Sequence, residues 1–151
     1  MKQKVLFLIL LVVFCSLPAF AQTKKIFVSV SVESKDTKLR DTIESYITRE
    51  LRTLGDVEID NSFGFFKVDI LAIENEIDGE ALGYTISVVI SHFSTCTSKK
   101  ITVKGQLETW NCYVQQDHFL KTDAVANLRK MCERIVTDFD TRVLKPMRAV
   151  K

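Results

Sequence analysis

Two histidines and four cysteines are the residues best suited to acid–base, nucleophilic or metal chemistry in this sequence. His118 directly follows Asp117, and a histidine beside a carboxylate can act as a general base in hydrolysis. His92 ends a strand face that is predicted to point inward, where a histidine is typical of packing. Neither histidine has a ligand-like spacing from a cysteine and Cys-x-x-Cys is absent, so we expect no metal and no cofactor.

Motifs that support common enzyme reactions are also missing from the sequence. It contains no Gly-x-Ser-x-Gly, no His-Glu-x-x-His and no glycine-rich phosphate loop. The acidic runs at residues 56–60 and 74–80 lack the central glycine and terminal glutamate of a calcium-binding loop. We therefore predict no catalytic residue and no metal-binding residue, and we expect a protein that is not an enzyme.

The amino terminus has the pattern of a secretory signal peptide. Met1–Lys4 is basic, Val5–Leu17 is apolar, and Ala19-Phe20-Ala21 has small residues where a signal peptidase cleaves. The apolar run is shorter than the roughly 20 residues that span a bilayer. We predict cleavage after Ala21 and one exported domain over residues 22–151. The form of the signal is typical of bacteria, and it indicates a periplasmic or secreted protein that meets the membrane only through this segment.

Net charge argues against nucleic acid as a partner. Cleavage removes Lys2 and Lys4 from the 21 basic residues and removes none of the 19 acidic residues. The mature chain therefore has equal numbers of basic and acidic residues. A balanced chain has no general attraction to nucleic acid or to anionic lipid.

The cysteines enter an oxidising compartment if the chain is exported. Cys15 leaves with the signal peptide. Cys132 lies on the apolar stripe of the last helix, so we predict a buried free thiol there. Cys96 and Cys112 lie in the polar segment and the strand that follow the central hairpin, and they are a candidate disulfide.

The stretch from Phe65 to Phe93 predicts the hairpin around which the fold is built. Strands at residues 66–73 and 84–91 flank the turn residues Asp78-Gly79-Glu80. The polar segment Ser94–Lys100 predicts a loop. A further strand follows at residues 101–114, and its alternation changes phase between residues 107 and 110.

The remaining elements are one strand and two helices. Residues 26–33 alternate as a half-buried strand does. Asp36 is the predicted N-cap of a helix that Gly55 ends, and a last helix runs along residues 125–143 until Pro146 stops it. The order β-α-β-β-β-α predicts an α/β (α+β) two-layer sandwich, in which a mixed four- to five-stranded sheet has both helices on one face.

The sheet face away from the helices is predicted to carry more apolar side chains than water should meet. A contiguous apolar patch marks a contact surface, whereas an amino-terminal arm or the Ser94–Lys100 loop could instead cover it. Three nearby rings, Phe63, Phe65 and Phe66, are expected to pack in the core rather than form an aromatic binding surface. The candidate partner face consists of Phe27, Leu71, Ile73, Val89 and Phe93.

The segment Leu51-Arg52-Thr53-Leu54-Gly55-Asp56-Val57-Glu58-Ile59-Asp60 closes a helix with a Leu-Gly pair and enters a short Val-x-Ile strand. This pattern resembles the amino-terminal domain of TolB and small exported domains of outer-membrane and flagellar accessory lipoproteins. The resemblance implies a non-catalytic interaction module of a cell-envelope assembly, whose partner is another envelope protein or a second copy. Asn61 stands where that group usually has a basic residue, and no functional residue carries over.

Three functional hypotheses follow from the sequence. The first is an exported non-catalytic interaction or assembly module, since no catalytic motif is present. The second is a small-molecule or lipid binder with its site between sheet and helices. The third is a small hydrolase that uses His118 with Asp117. A deep pocket favours the second, and a nucleophile within reach of His118 favours the third.

Overall fold

The computed structural model describes the backbone of residues 24–101 and 107–150, and the side chains of residues 24–95 and 111–150. The predicted signal peptide, residues 1–21, lies outside the described residues. The elements are β1 (Ile26–Ser34), α1 (Thr37–Arg52), β2 (Val57–Ile59), β3 (Phe66–Ile77), β4 (Glu80–Ile101), β5 (Leu107–Ala124), α2 (Leu128–Phe139) and α3 (Lys145–Ala149). A 3-10 turn, Val125–Asn127, precedes α2, and a π-helical turn, Asp140–Leu144, joins α2 to α3.

The strands form one mixed sheet in the order β2-β1-β3-β4-β5. β1 runs parallel to β2 and β3, whereas β3–β4 and β4–β5 are antiparallel pairs. The prediction of an α+β fold with a mixed sheet of four to five strands and two main helices is confirmed. The predicted element order was incomplete because the short β2 is a full member of the sheet and α3 follows α2, so the order is β-α-β-β-β-β-α-α.

The first crossover follows from local sequence signals. The apolar residues of β1 alternate, so that Val28 and Val30 are buried on one face. The Asp36 carboxylate accepts the Lys38 amide at 2.8 Å and caps α1, as predicted. After α1, Gly55 adopts φ +75°, a conformation that glycine enters without steric strain, and the chain turns into β2.

The core lies between the sheet and the helices. Phe66 on β3 meets Phe139 on α2 edge to face, with ring centroids 5.7 Å apart, and each fully buried side chain of this size contributes about 1.5–3 kcal/mol. Cys132 is buried in the same core and is free, as predicted. The shared cluster draws on β1 (Val28, Val30), β3 (Val68, Ile70), β4 (Ile86, Val88, Ile90), α1 (Leu39, Ile43, Ile47, Leu51) and α2 (Met131, Ile135, Val136).

The central hairpin is longer than predicted. Asp78 (φ 54°) and Gly79 (φ 80°) both adopt the left-handed conformation, which is the two-residue type I′ turn. Its backbone twist matches that of paired strands, so β3 extends to Ile77 and β4 begins directly at Glu80.

Several predicted element boundaries were wrong. The strand predicted at residues 101–114 runs instead from Leu107 to Ala124, because residues 115–124 also pair with β4. Ser94–Lys100 is not a loop, because β4 continues through it to Ile101 and pairs with β5 as a two-stranded extension of the sheet. Pro146 does not end the last helix, since α3 runs on to Ala149 with this proline in its first turn. Proline is tolerated there because it lacks the amide that a first turn leaves unused, and the π-helical turn before it widens the helix.

Candidate functional site on the outer sheet face

The outer face, meaning the sheet face away from the helices, carries the five residues of the candidate partner face. Phe27, Leu71 and Ile73 are 41%, 46% and 53% exposed. Val89 and Phe93 are half-buried. The structure therefore leaves three of the five predicted residues open to solvent and covers the other two in part.

One end of this face is aliphatic. The strand register places Leu71 opposite Ser87 on β4, and Ser87 opposite Leu120 on β5. Leu120 is 64% exposed, and Ile73 lies one step further along β3 on the same face. Leu71, Ile73 and Leu120, here called the aliphatic patch, flank a small serine and form an open apolar surface. Val89 pairs with Asp69 and so is diagonal to Leu71, as the turn predicts.

The other end of the outer face is aromatic. The Phe63 and Phe93 rings pack edge to face at 5.0 Å, and Phe93 and Tyr113 do so at 5.7 Å. The Tyr113 hydroxyl donates to the Gly64 carbonyl at 2.7 Å, which ties β5 to the connection before β3. We call Phe63, Phe93 and Tyr113 the aromatic cluster. Its rings are perpendicular rather than coplanar, so they cover one another in part.

The expectation that Phe63, Phe65 and Phe66 all pack in the core was wrong for two of them. Phe66 is 2% exposed, but Phe63 and Phe65 remain largely in solvent. Phe65 lies in the bend before β3, and its ring packs edge to face against the Phe66 ring with centroids 5.0 Å apart, so it covers part of Phe66 while it stays 42% exposed itself. Phe63 precedes the strand and contacts Phe93 on the outer face.

Hydrogen bonds hold the connection between β2 and β3 across the outer face. The Asp60 carboxylate accepts the amides of Ser62 at 2.9 Å and Phe63 at 3.1 Å. The Asn61 side chain accepts the Val30 amide at 3.2 Å, beyond the end of β2. The resembling domains carry a basic residue at the position of Asn61. In this chain Asn61 accepts a hydrogen bond from a β1 amide that lies beyond the end of β2.

A polar band separates the two apolar ends. Lys67 and Asp69 form an ion pair of 2.9 Å, and both side chains are more than one-third exposed. Such a pair contributes at most about 1 kcal/mol to stability. Ser29 and Ser91 fill the space beside it and are nearly buried. The outer face is therefore apolar at both ends and charged in the middle.

The Asp117–His118 pair does not form a catalytic dyad in this structure. The two residues are neighbours in a strand and point to opposite faces. Asp117 Oδ2 lies 3.3 Å from Arg142 Nη1 on the helix side, while His118 Nδ1 lies 3.2 Å from Gln115 Nε2 on the outer face. The amide of Gln115 is not a nucleophile, so the arrangement offers no support for a hydrolase.

His92 lies on the inner face, opposite Phe66 and Val114, and is half-buried. Its Nδ1 atom is buried and has no hydrogen-bond partner among the described side chains. Within residues 24–95 and 111–150, no group of three or more His, Cys, Asp or Glu residues is placed to hold a metal ion.

A surface depression near the end of α1 offers no free charge for a ligand. Its lining includes Asp56, Asp140 and Arg148, and the Arg148 guanidinium binds both carboxylates.

In the described part of the chain, no helix combines the length and the hydropathy that crossing a membrane requires.

Cys112 is in a disulfide bond. The side chain of Cys96 lies outside the described residues, so the Cys96–Cys112 pairing stays a prediction. The backbone register places Cys112 opposite Ser94 and places Cys96 two residues further along β4.

Comparison with known proteins adds structural likeness but no family. No family model matches the sequence, and no curated protein matches it. The PelC dodecamer from Paraburkholderia phytofirmans is similar with 10% identity and a TM-score of 0.40, over 76% of this chain and 86% of that one. The hypothetical protein CT253 from Chlamydia trachomatis has 12% identity and a TM-score of 0.42, over 80% and 95%. The rare lipoprotein B from Shewanella oneidensis has 8% identity and a TM-score of 0.32, over 82% and 98%. Function is therefore argued from the residues of this chain.

Proposed function

We propose that this chain is an exported, non-catalytic interaction module of the bacterial cell envelope. It docks through its outer face onto another envelope protein or a second copy of itself. The amino-terminal signal pattern supports export to the periplasm or beyond. The resemblance of residues 51–60 to the TolB amino-terminal domain supports a place in an envelope assembly.

The observation that carries this proposal is the exposure of the outer face. In a two-layer sandwich the open sheet face normally meets water with polar side chains. Here the aliphatic patch, Phe27 and the exposed rings of the aromatic cluster all face solvent. Apolar side chains that gather on one face support a docking surface better than scattered exposure does.

A pair of substitutions on β3 tests the proposal. Leu71→Asp with Ile73→Asp introduces two charges into the aliphatic patch, and these side chains are about half exposed, so the fold tolerates the change. After crosslinking in the native host and capture of the tagged protein, the wild type should retain an envelope protein, or a second copy, that the variant loses. Val150→Asp is the matched control, because Val150 is an 86% exposed apolar residue that follows α3.

Retention of the same partner by the Leu71→Asp, Ile73→Asp variant would remove the outer face from consideration. Unfolding of the variant, seen by circular dichroism, would place these side chains in a core instead of on a docking surface.

A further inference from the structure

The free edge of β5 is a second surface with unusual features. β5 is the last strand of the sheet and runs from Leu107 to Ala124, whereas the opposite edge strand, β2, spans only Val57–Ile59. Within the described residues no strand pairs with the outer side of β5. A long unpaired edge is a template for another strand, and proteins commonly protect such edges.

Two amides on this edge are bonded to side chains of β5 itself. The His118 amide donates to Asp117 Oδ1 at 2.8 Å, and the Ala124 amide donates to Asp123 Oδ1 at 2.9 Å. Amides of alternate residues in a strand point to the same side, so those of Leu120 and Thr122 face the same free edge.

The hydrogen bonds inside the sheet lead to the same direction for these β5 amides. The Phe93 amide donates to Phe65, so odd-numbered residues of β4 direct their amides toward β3. Even-numbered residues of β4 then bond to β5, and their partners are odd-numbered, for example Val88 with Phe119 and Ile86 with Lys121. The even-numbered amides of β5 between residues 118 and 124 therefore point away from the sheet.

Both carboxylates are held in place from the helix side. Arg142 Nη1 lies 3.3 Å from Asp117 Oδ2, and Arg134 binds Asp123 Oδ2. Hydrogen bonds from Asn127 and from the Ala124 amide, together with Arg134, lower the pKa of Asp123 below its usual value. Each aspartate carboxylate thus binds an arginine of the helical layer through one oxygen and an amide of the sheet edge through the other.

We propose that Asp117 and Asp123 protect the β5 edge from His118 to Ala124 against strand addition by a second copy of this chain. A twofold antiparallel pair of β5 strands centred on Leu120 brings this exposed side chain against its own counterpart. In that register Asp117 lies opposite Asp123 of the second copy, and this happens twice across the axis. Like charges in directly opposed positions disfavour pairing. The same two residues therefore occupy two edge amides in each copy and also repel the second copy.

Substitution of both aspartates tests this proposal in the exported chain. Asp117→Ala with Asp123→Ala frees the amides of His118 and Ala124 and removes the repulsion. We expect this variant to self-associate at least about tenfold more tightly than the wild type in analytical ultracentrifugation. Asp138→Ala is the matched control, because Asp138 forms an ion pair of 2.6 Å with Lys121 across the same helix–strand contact and bonds no edge amide. It should associate no more tightly than the wild type.

Hydrogen exchange locates the contact. In the associated Ala variant the amides of Leu120 and Thr122 should exchange more slowly than in the dissociated protein. The proposal is overturned if the Ala variant associates no more tightly than the wild type, if Asp138→Ala associates as tightly as the Ala variant, or if association leaves those two amides unprotected. The Leu71→Asp, Ile73→Asp variant retains both aspartates, so failure of the outer-face proposal would leave this one standing.

Discussion

Gly64 holds the aromatic cluster in place through its lack of a side chain. A Cβ atom at this position would lie 2.4 Å from the Ser29 nitrogen and 2.5 Å from the Phe66 carbonyl oxygen. Both neighbours are backbone atoms of paired strands and cannot move away cheaply. We expect Gly64→Ala to lower the free energy of unfolding by about 1–3 kcal/mol, the usual cost of overpacking.

Urea denaturation measures this cost. Gly79→Asn is the control, because Gly79 has open space around its Cβ position and asparagine tolerates its positive φ. A change below about 0.5 kcal/mol for Gly64→Ala, similar to an ordinary surface substitution, would show that the connection is not packed against Ser29.

The cysteines make a second prediction at the residue scale. Burial raises the pKa of the Cys132 thiol to about 12, so this side chain stays protonated and inaccessible at neutral pH. Alkylation of the folded, unreduced protein should leave Cys132 unmodified until denaturant is added. Peptide mapping of the same sample should find Cys96 and Cys112 joined. Rapid labelling of Cys132, or labelling of Cys96 without reductant, would contradict these assignments.

At the scale of elements, Arg148 joins α3 to the connection between α1 and β2. Its guanidinium donates to both Asp56 carboxylate oxygens, at 2.6 and 2.7 Å, and also binds Asp140. Bidentate contacts of this kind are stronger than ordinary surface ion pairs. We expect Arg148→Ala to cost about 1–2 kcal/mol of stability in urea denaturation. Lys145→Ala should cost much less, since Lys145 is exposed and approaches Asp140 at only 3.4 Å.

The Arg148 contribution should depend on pH in a defined direction. Its hydrogen bonds are the largest cause of a lowered pKa for Asp56, relative to the usual 3.8. A carboxyl whose pKa is lower in the folded state stabilises the fold above its unfolded pKa, and the contribution is lost as pH falls through the folded value. The stability difference between wild type and Arg148→Ala should therefore be constant above about pH 5 and shrink below pH 3.8. A difference that grew on acidification would contradict this assignment.

Elements with a strong apolar period could be predicted from the sequence, and those without one could not. β1 and α1 follow from alternation, the Asp36 cap and the i,i+4 stripe, all of which are local signals. The segment Ser94–Lys100 gave no such signal because β3 begins only at Phe66, opposite His92, so the part of β4 beyond His92 pairs with β5 alone. Threonine is favoured in strands, but the polarity of the segment as a whole resembles that of a loop.

The residues of the outer face could also be predicted only in part from the sequence. Alternation in the hairpin identified Leu71 and Ile73 correctly as outward residues. Leu120 was missed because the strand was predicted to end at residue 114, whereas β5 continues past the unpaired Gln116 to Ala124. Phe63 was missed because its orientation depends on a connection whose path is set by distant hydrogen bonds.

At the scale of the whole molecule, export makes a simple prediction. The mature protein should begin at Gln22, since the small residues of Ala19-Phe20-Ala21 match a signal-peptidase site. Intact mass spectrometry of the protein released from the host periplasm measures this. A mass that retains residues 1–21, or an acyl group on Cys15, would contradict the predicted cleavage.

The outer sheet face of the exported chain is proposed to dock onto a protein partner. The most direct measurement places a photo-reactive amino acid at Leu71 in the native host and, in a parallel strain, at Val150. Irradiation should join the Leu71 probe to one defined partner, either an envelope protein or a second copy. The Val150 probe should give no such product, and Ile73→Asp should abolish the Leu71 product. Equal crosslinking from both positions, or none from Leu71 in the folded exported protein, would contradict the claim.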